Sequence, residues 1–320
     1  MGYSKEAYIA ASKKLEERRQ RATREADARH ARVYALSPLI AEVDADLAKT
    51  SSKLCVIAFG KPENAESEIS RIREENMALQ KKRAELLAAL GLSKDYTSVA
   101  YTCPICKDTG YTEKGICACF RSLLAEESLR ASGLGALALS QDFDNFSLEY
   151  YAENRPYAEK ALADAKAFAE DFEETRANLL FVGGTGLGKT HLSTAIARRV
   201  IARGFDVVYD IAPNLIADFE KEKYKRFDDE EDHTEKYFRA DLLIIDDLGT
   251  EPESPFALSA IYRLLNTRLN NGQSTIISTN LGQKNLVERY EARITSRLLG
   301  NFIPYVFKGV DVRAQKIKMK

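Results

Sequence analysis

Residues 183–190 read Gly183-Gly184-Thr185-Gly186-Leu187-Gly188-Lys189-Thr190, the G-x-x-x-x-G-K-[ST] spacing of a phosphate-binding loop. The apolar run Leu179–Val182 before it predicts a strand, and His191–Val200 after it predicts a helix. In that context the loop's backbone N–H groups and the helix N-terminus converge where phosphate oxygens can sit. The glycines permit the close approach. Lys189 offers a point charge to the β- and γ-phosphates, and the Thr190 hydroxyl offers a ligand for Mg²⁺. With His191 at the start of the helix, these residues form the expected nucleotide contacts.

Further along the chain, Leu242-Leu243-Ile244-Ile245 is followed by Asp246-Asp247. This is a buried-strand pattern that delivers carboxylates to its C-terminal end, where open α/β sheets bind ligands. Asp246 is placed to hold Mg²⁺, and Asp247 to orient or deprotonate an attacking water. A further strand, Thr275–Ser278, ends in Thr279-Asn280, which puts a carboxamide near the γ-phosphate position. Arg293 and Arg297, four residues apart, share one face of a helix predicted near Leu286–Leu299. Local pairing with Glu288 or Glu291 is one account of them, and reaching a neighbouring subunit's phosphate is the other. From about Phe143 onward, strand-like and helical runs alternate: Asn178–Val182, His191–Ala202, Asp206–Tyr209, Leu215–Lys225, Leu242–Ile245, Ala257–Asn270 and Thr275–Ser278. That alternation predicts an α/β fold, a parallel sheet flanked by helices.

The chain ahead of this core is different in kind. Its first hundred residues are charge-dense and helix-forming, with helices expected over Ser4–Ala35, Leu39–Phe59 and Glu66–Leu90 and a break at Gly60-Lys61-Pro62. Ile69, Ile72, Met77, Leu79, Leu86, Leu87 and Leu90 give the last of these a face to bury, so a helical hairpin or coiled coil is expected. The arginines from Arg18 to Arg32 interleave with Glu16, Glu17, Glu25 and Asp27, the pattern of a solvated helix face. Four of the five cysteines, Cys103, Cys106, Cys117 and Cys119, fall within seventeen residues. Such clustering suggests metal before disulfide, and four thiolates suit a closed, structural Zn²⁺ site. A redox pair and unliganded thiols are the other readings, and Cys55 is expected to be a packed thiol. The expected organisation is a helical partner-binding region at 1–101, a four-cysteine zinc module at 102–120, a linker helix at 121–142 and an ATPase domain at 143–320.

With 320 residues, 45% of them hydrophobic, the chain has enough apolar material for a sizeable core and excludes disordered and collagen-like classes. The 47 basic and 48 acidic side chains leave a net charge of −1, so any nucleic-acid contact must come from a local patch. With neither a leader nor a membrane span expected, the reading is cytoplasmic.

Taken together, the loop, Phe143-Asp144-Asn145-Phe146, Leu242–Gly249 (LLIIDDLG), Tyr262–Asn271 (YRLLNTRLNN), Ser278-Thr279-Asn280 and Arg293–Leu298 (RITSRL) resemble the AAA+ helicase loaders of the DnaC/DnaI type. IstB-like transposition ATPases are close neighbours of that family. The resemblance spans roughly 143–313 and implies an AAA+ P-loop core, ATP as ligand and hydrolysis used as a slow switch. It also implies a sensor role for Asn280, a trans-acting finger role for Arg297, a supporting role for Arg293 and a second phosphate-sensing role for Arg313. Loaders of the DnaI kind carry a zinc module ahead of the ATPase that grips the hexameric replicative helicase, and the resemblance implies homo-oligomers assembled with nucleotide. Loader-type proteins line single-stranded DNA with a stretch that corresponds here to Ala212–Tyr237, containing Phe219, Lys221, Lys223, Tyr224, Lys225 and Arg226. A solvated amphipathic helix is the competing reading of that stretch. Two departures from the broader superfamily are Asp247 in place of the usual Glu and no expected separate lid domain. An IstB-like regulator acting on duplex DNA remains the alternative, and a small-molecule kinase is disfavoured by Asp246-Asp247, Asn280 and the paired arginines.

Overall fold

The computed structural model describes residues 3–60, 65–225 and 232–318. Two compact units result: Ser12–Cys117, and Met1–Ala11 together with Ala118–Lys320.

The larger unit is built on a five-stranded parallel sheet. Its strands are β1 (Leu179–Gly183), β2 (Val207–Ile211), β3 (Leu242–Leu248), β4 (Ser274–Thr279) and β5 (Ile303–Phe307), ordered β2-β3-β4-β1-β5. Successive residues alternate between two buried clusters. Leu179, Phe181, Leu242, Ile244 and Ile276 face one, with Leu192, Ile196 and Phe168 from helices Lys189–Ala202 and Arg155–Glu170. Leu180, Leu243, Ile245 and Ile277 face the other, with Leu215, Leu264, Ile294 and Leu298 from helices Ala212–Lys223, Pro255–Asn270 and Ala292–Asn301. A sheet buried on both faces needs apolar residues at consecutive positions, which is why these strands read as runs rather than alternations. The expected α/β core, a parallel sheet flanked by helices, is therefore present.

Three helices precede it, Lys5–Leu36, Pro38–Gly60 and Ala65–Ala89. Lys61 and Pro62 of the expected break lie outside the described residues, as does the side chain of Cys55. The last two helices join through Asn76 Nδ2 donating to Thr50 Oγ1 at 2.5 Å and Arg83 Nε donating to Asp44 Oδ1 at 2.5 Å. Val33, Ile40 and Leu87 form a small core. The apolar face expected on the third helix is narrower than its sequence suggests, because Ile72 and Leu87 are buried whereas Met77 is 60% exposed. Helix Ala118–Ala131, read from sequence as part of a linker, packs against helix Lys189–Ala202 and strand β2. Among the described residues no helix is long and apolar enough to cross a membrane.

One core feature escapes a hydrophobic-pattern reading. Arg268 is fully buried, and its guanidinium donates to the carbonyls of Tyr237, Ala240 and Ser274 at 2.8, 3.0 and 2.6 Å and to Thr275 Oγ1 at 3.0 Å. Burial pushes its pKa down to about 9. An Arg268→Leu variant would strip those carbonyls of their guanidinium donors, leaving Ala240 only Gln273 Nε2 at 3.4 Å, so a loss of about 3 kcal/mol or more is expected. An unchanged midpoint in denaturant unfolding would contradict this role.

Candidate phosphate-loop and four-cysteine sites

The loop after β1 has the geometry its sequence predicts. Gly188, at φ +86°, caps helix Lys189–Ala202 in the left-handed region, and a Cβ there would strike the Tyr151 hydroxyl. Glycine alone meets both demands. Lys189, 5% exposed, donates to the carbonyls of Gly183 and Gly184 at 2.6 and 2.7 Å and to Asn280 Oδ1 at 2.7 Å. Burial lowers its pKa, with Asp247 and Asp246 opposing. The structure thus brings Lys189 and Asn280 together across 91 residues of chain.

Asp246 and Asp247 stand at an irregularity in the pairing of β3 with β4, between Ile245 and Leu248. Asp247 takes φ +54°, which asparagine and aspartate tolerate better than other side chains. Asp246 is buried, and its Oδ2 accepts from Thr190 Oγ1 at 2.9 Å and from Tyr209 Oη at 2.7 Å, while Ser278 Oγ donates to its Oδ1. Asp247 is half-buried; its backbone N–H donates to Ser278 Oγ at 3.0 Å, and Asn280 Nδ2 donates to its carboxylate at 3.3 Å. Burial, then the Asp246 charge, raises the Asp247 pKa, which makes it a stronger proton acceptor. Thr190 and Asp246 present adjacent oxygens of the kind a hard cation such as Mg²⁺ takes, so the donor set fits that ion. Tyr209 and the anchoring role of Ser278 were not legible in the sequence.

A cavity of about 160 Å³ adjoins the loop, lined by residues that include Phe146, Tyr151, Gly188, Lys189, His191 and Arg313. Phe146 stacks on Tyr151 at 5.5 Å and meets His191 edge-on at 5.2 Å. The Tyr151 hydroxyl donates to the Leu187 carbonyl at 2.9 Å, and burial pushes its pKa up to about 12. The C-terminal segment returns to the loop through Val312 N–H donating to the Gly186 carbonyl at 2.9 Å, which brings Arg313 to the cavity. Gly186 has φ +70° and abuts Asp311, so this loop position too must lack a side chain.

Arg293 and Arg297 both lie over the Tyr262 ring, at 4.8 and 4.5 Å. Arg293 pairs locally with Glu291 at 2.7 Å. Arg297 donates to Asn266 Oδ1 at 2.6 Å and to the Tyr262 hydroxyl at 3.1 Å, and neither arginine lines the cavity at the chain's own loop. The single helix expected near Leu286–Leu299 is instead two, Gln283–Arg289 and Ala292–Asn301. The break comes at Tyr290, whose backbone is extended and whose buried hydroxyl donates to Glu251 Oε1 at 2.5 Å.

In the stretch expected to meet DNA, Phe219 is unavailable for base stacking: it is buried and packs on Tyr237 at 6.1 Å. The amphipathic-helix reading describes Ala212–Lys223, with Leu215 and Ile216 also inward. Lys221 pairs with Asp218 at 3.0 Å and Lys225 with Glu222 at 3.5 Å, while Lys223 lies over the Phe256 ring at 4.7 Å. Tyr224 is 73% exposed. Arg226 lies outside the described residues.

The sulfurs of Cys103, Cys106, Cys117 and Cys119 all lie within 4.8 Å of one another, with Cys103 and Cys117 at 3.8 Å. Tetrahedral Zn²⁺ with bonds of about 2.3 Å requires sulfurs about 3.8 Å apart, so the cluster fits that ion. Its loop is held by buried Asp108, whose carboxylate accepts from the N–H groups of Thr102 and Cys103, both at 2.8 Å. The Gly110 N–H points to Cys106 Sγ at 3.4 Å, the kind of surrounding hydrogen bond that orients a metal ligand.

The chain is similar to several known proteins. A replicative helicase loader DnaC from Buchnera aphidicola (subsp. Acyrthosiphon pisum) is 28% identical over 193 residues, 59% of this chain and 75% of that protein. The Escherichia coli replicative helicase loader DnaC is 24% identical over 196 residues, 61% of this chain and 78% of its own length. Among solved structures, a DnaC helicase loader matches with a TM-score of 0.47 at 24% identity, covering 53% of this chain and 98% of that one. The model of the IstB-like ATP-binding proteins matches residues 124–302, more than half of the chain. The chain belongs to the IstB-like ATP-binding protein family.

Proposed function

We propose that this protein is an ATP-dependent loader of a replicative DNA helicase, acting in the cytoplasm. The observation that carries the reading is one chain joining a phosphate-loop site, in which Asn280 bonds both Lys189 and Asp247 and Thr190 bonds Asp246, to a helical region and a four-cysteine cluster. That its relatives bear the name replicative helicase loader supports it.

In this reading Gly183–Thr190 and His191 hold ATP, with Lys189 on its phosphates and Arg313 facing them from the C-terminal segment. Thr190 and Asp246 ligate Mg²⁺, while Asp247 and Asn280 orient water for a slow hydrolysis that works as a switch. Residues 143–320 are the ATPase domain and 121–142 its linker. Region 1–101 and the zinc module at 102–120 grip the hexameric helicase. Lys221, Lys223, Tyr224, Lys225 and Arg226 follow single-stranded DNA. The Lys221 ammonium is exposed, so phosphate can compete for it with Asp218.

Arg297 completes the ATP site of a neighbouring copy, supported by Arg293. Its distance from its own loop cavity suits that role. Arg297→Ala is expected to bind ATP within about twofold of wild type, to lose nucleotide-dependent self-association and to lose about 10³-fold in assembly-stimulated hydrolysis. Unchanged sedimentation with ATP and Mg²⁺ would contradict this.

The function itself is tested by co-elution with the hexameric replicative helicase of the source cell, with and without ATP and Mg²⁺, and by helicase deposition on single-stranded DNA. Failure of both removes the loader reading. The matched family description also favours a second reading, an IstB-like regulator of transposition. ATP-dependent filaments on duplex DNA without helicase binding would establish it instead.

A further inference from the structure

Tyr209 makes contacts in two directions. Its hydroxyl donates to Asp246 Oδ2 at 2.7 Å, the same oxygen that accepts from Thr190 at 2.9 Å. Its backbone N–H donates at 2.6 Å to the carbonyl of Ser132, in the turn that follows helix Ala118–Ala131. Strand β2 is an edge of the sheet, so its outer backbone groups are open to such a partner. Gly133 presses on the same residue: at φ +85°, a Cβ there would collide with the Tyr209 carbonyl. Ser132 and Leu134 are buried on either side, so the turn is packed in place.

Register explains why the ring reaches the carboxylate. Tyr209 pairs with Ile244 and Ile211 with Asp246, so Tyr209 and Asp246 project from the same face of the sheet, two positions apart along the strands.

We propose that Tyr209 is a positioning residue for the Mg²⁺ ligand Asp246, and that the Ser132-Gly133 turn sets Tyr209 and thereby couples helix Ala118–Ala131 to the nucleotide site. This rests on reading Gly183–Thr190 and Asp246 as a Mg²⁺–nucleotide site. Outer partners of metal ligands typically change metal affinity about 10- to 100-fold. Tyr209→Phe keeps the ring and removes only the donor. In full-length protein, Mg²⁺ is titrated at fixed fluorescent ATP analogue. The Mg²⁺ midpoint of Tyr209→Phe is expected to rise about 10-fold, with affinity in chelator unchanged within about twofold. Gly133→Ala, checked for folding by circular dichroism, is expected to shift the midpoint in the same direction by about threefold.

A residue that merely packs would lower the melting temperature without moving the midpoint. An unmoved midpoint in Tyr209→Phe overturns the proposal. A shift in Tyr209→Phe with none in folded Gly133→Ala overturns the coupling to the turn. Wild-type protein showing no Mg²⁺-dependent binding would instead sink the underlying site reading, a separate result.

Discussion

Lys189→Ala is expected to reduce ATP affinity by at least about 100-fold while the protein stays folded. The ammonium is buried and meets three acceptors, the Gly183 and Gly184 carbonyls and Asn280 Oδ1, all within 2.7 Å. Phosphate oxygens compete for the same donors, so the lysine is already in place and little ordering remains to be done on binding. Charge-assisted hydrogen bonds of this kind contribute about 1.5–3 kcal/mol each. Losing two of them, at about 1.4 kcal/mol per factor of ten, gives the hundredfold loss or more. The helix after the loop does not depend on the ammonium, because Leu192, Ile196 and Val200 bury its apolar face. Titration with a fluorescent ATP analogue, alongside a melting curve, checks both halves. Wild-type affinity in the folded variant would remove Lys189 from the site.

Removing metal from the four-cysteine cluster is expected to unfold the loop that carries it, with nucleotide binding by residues 179–313 retained. The loop has almost no core of its own. Ile105 is 74% exposed, Tyr111 55% and Ile116 37%, and regular structure amounts to a two-rung antiparallel ladder of Tyr111–Thr112 with Gly115–Ile116. The sulfurs and Asp108 are what its interior contains. Structural zinc provides about 10–16 kcal/mol of apparent binding energy in small peptides, far more than so little apolar burial can supply. Elemental analysis is expected to give one zinc per chain. Chelation, or Cys106→Ser, should open the segment to protease cleavage within 102–120. A metal-free protein that resists cleavage as well as the loaded one would refute the zinc assignment.

The two predictions draw on parts of the molecule with different visibility in the sequence. The phosphate loop was legible because its chemistry is local: eight consecutive residues supply glycines, lysine and hydroxyl, with strand and helix directly on either side. The paired aspartates and the cysteine cluster were legible for the same reason. Burial of a helical face was less so. Met77 fits the apolar spacing of its helix yet is exposed, and Phe219, grouped with nearby cations as a stacking surface, is core. Spacing reports which residues share a face, whereas the neighbours available to cover that face are set elsewhere in the chain. The helix break at Tyr290 has a partner, Glu251, 39 residues away. No window around residue 290 contains it.

What the amino-acid order by itself determined is therefore the class of the core and the positions of its phosphate-loop and clustered-cysteine residues, since short-range backbone geometry and fixed residue spacing suffice for both. Only the tertiary structure decided that Tyr209 and Ser278 hold Asp246 and that Arg268 serves four acceptors at the core. The Tyr209 and Ser278 contacts follow from the strand order β2-β3-β4-β1-β5 and its register, which bring these side chains to Asp246 from 37 and 32 residues away. Hydrogen bonds act over about 3 Å, so a shift of one residue in the pairing of β2 or β4 with β3 would turn Tyr209 or Ser278 to the opposite face and break its bond to Asp246.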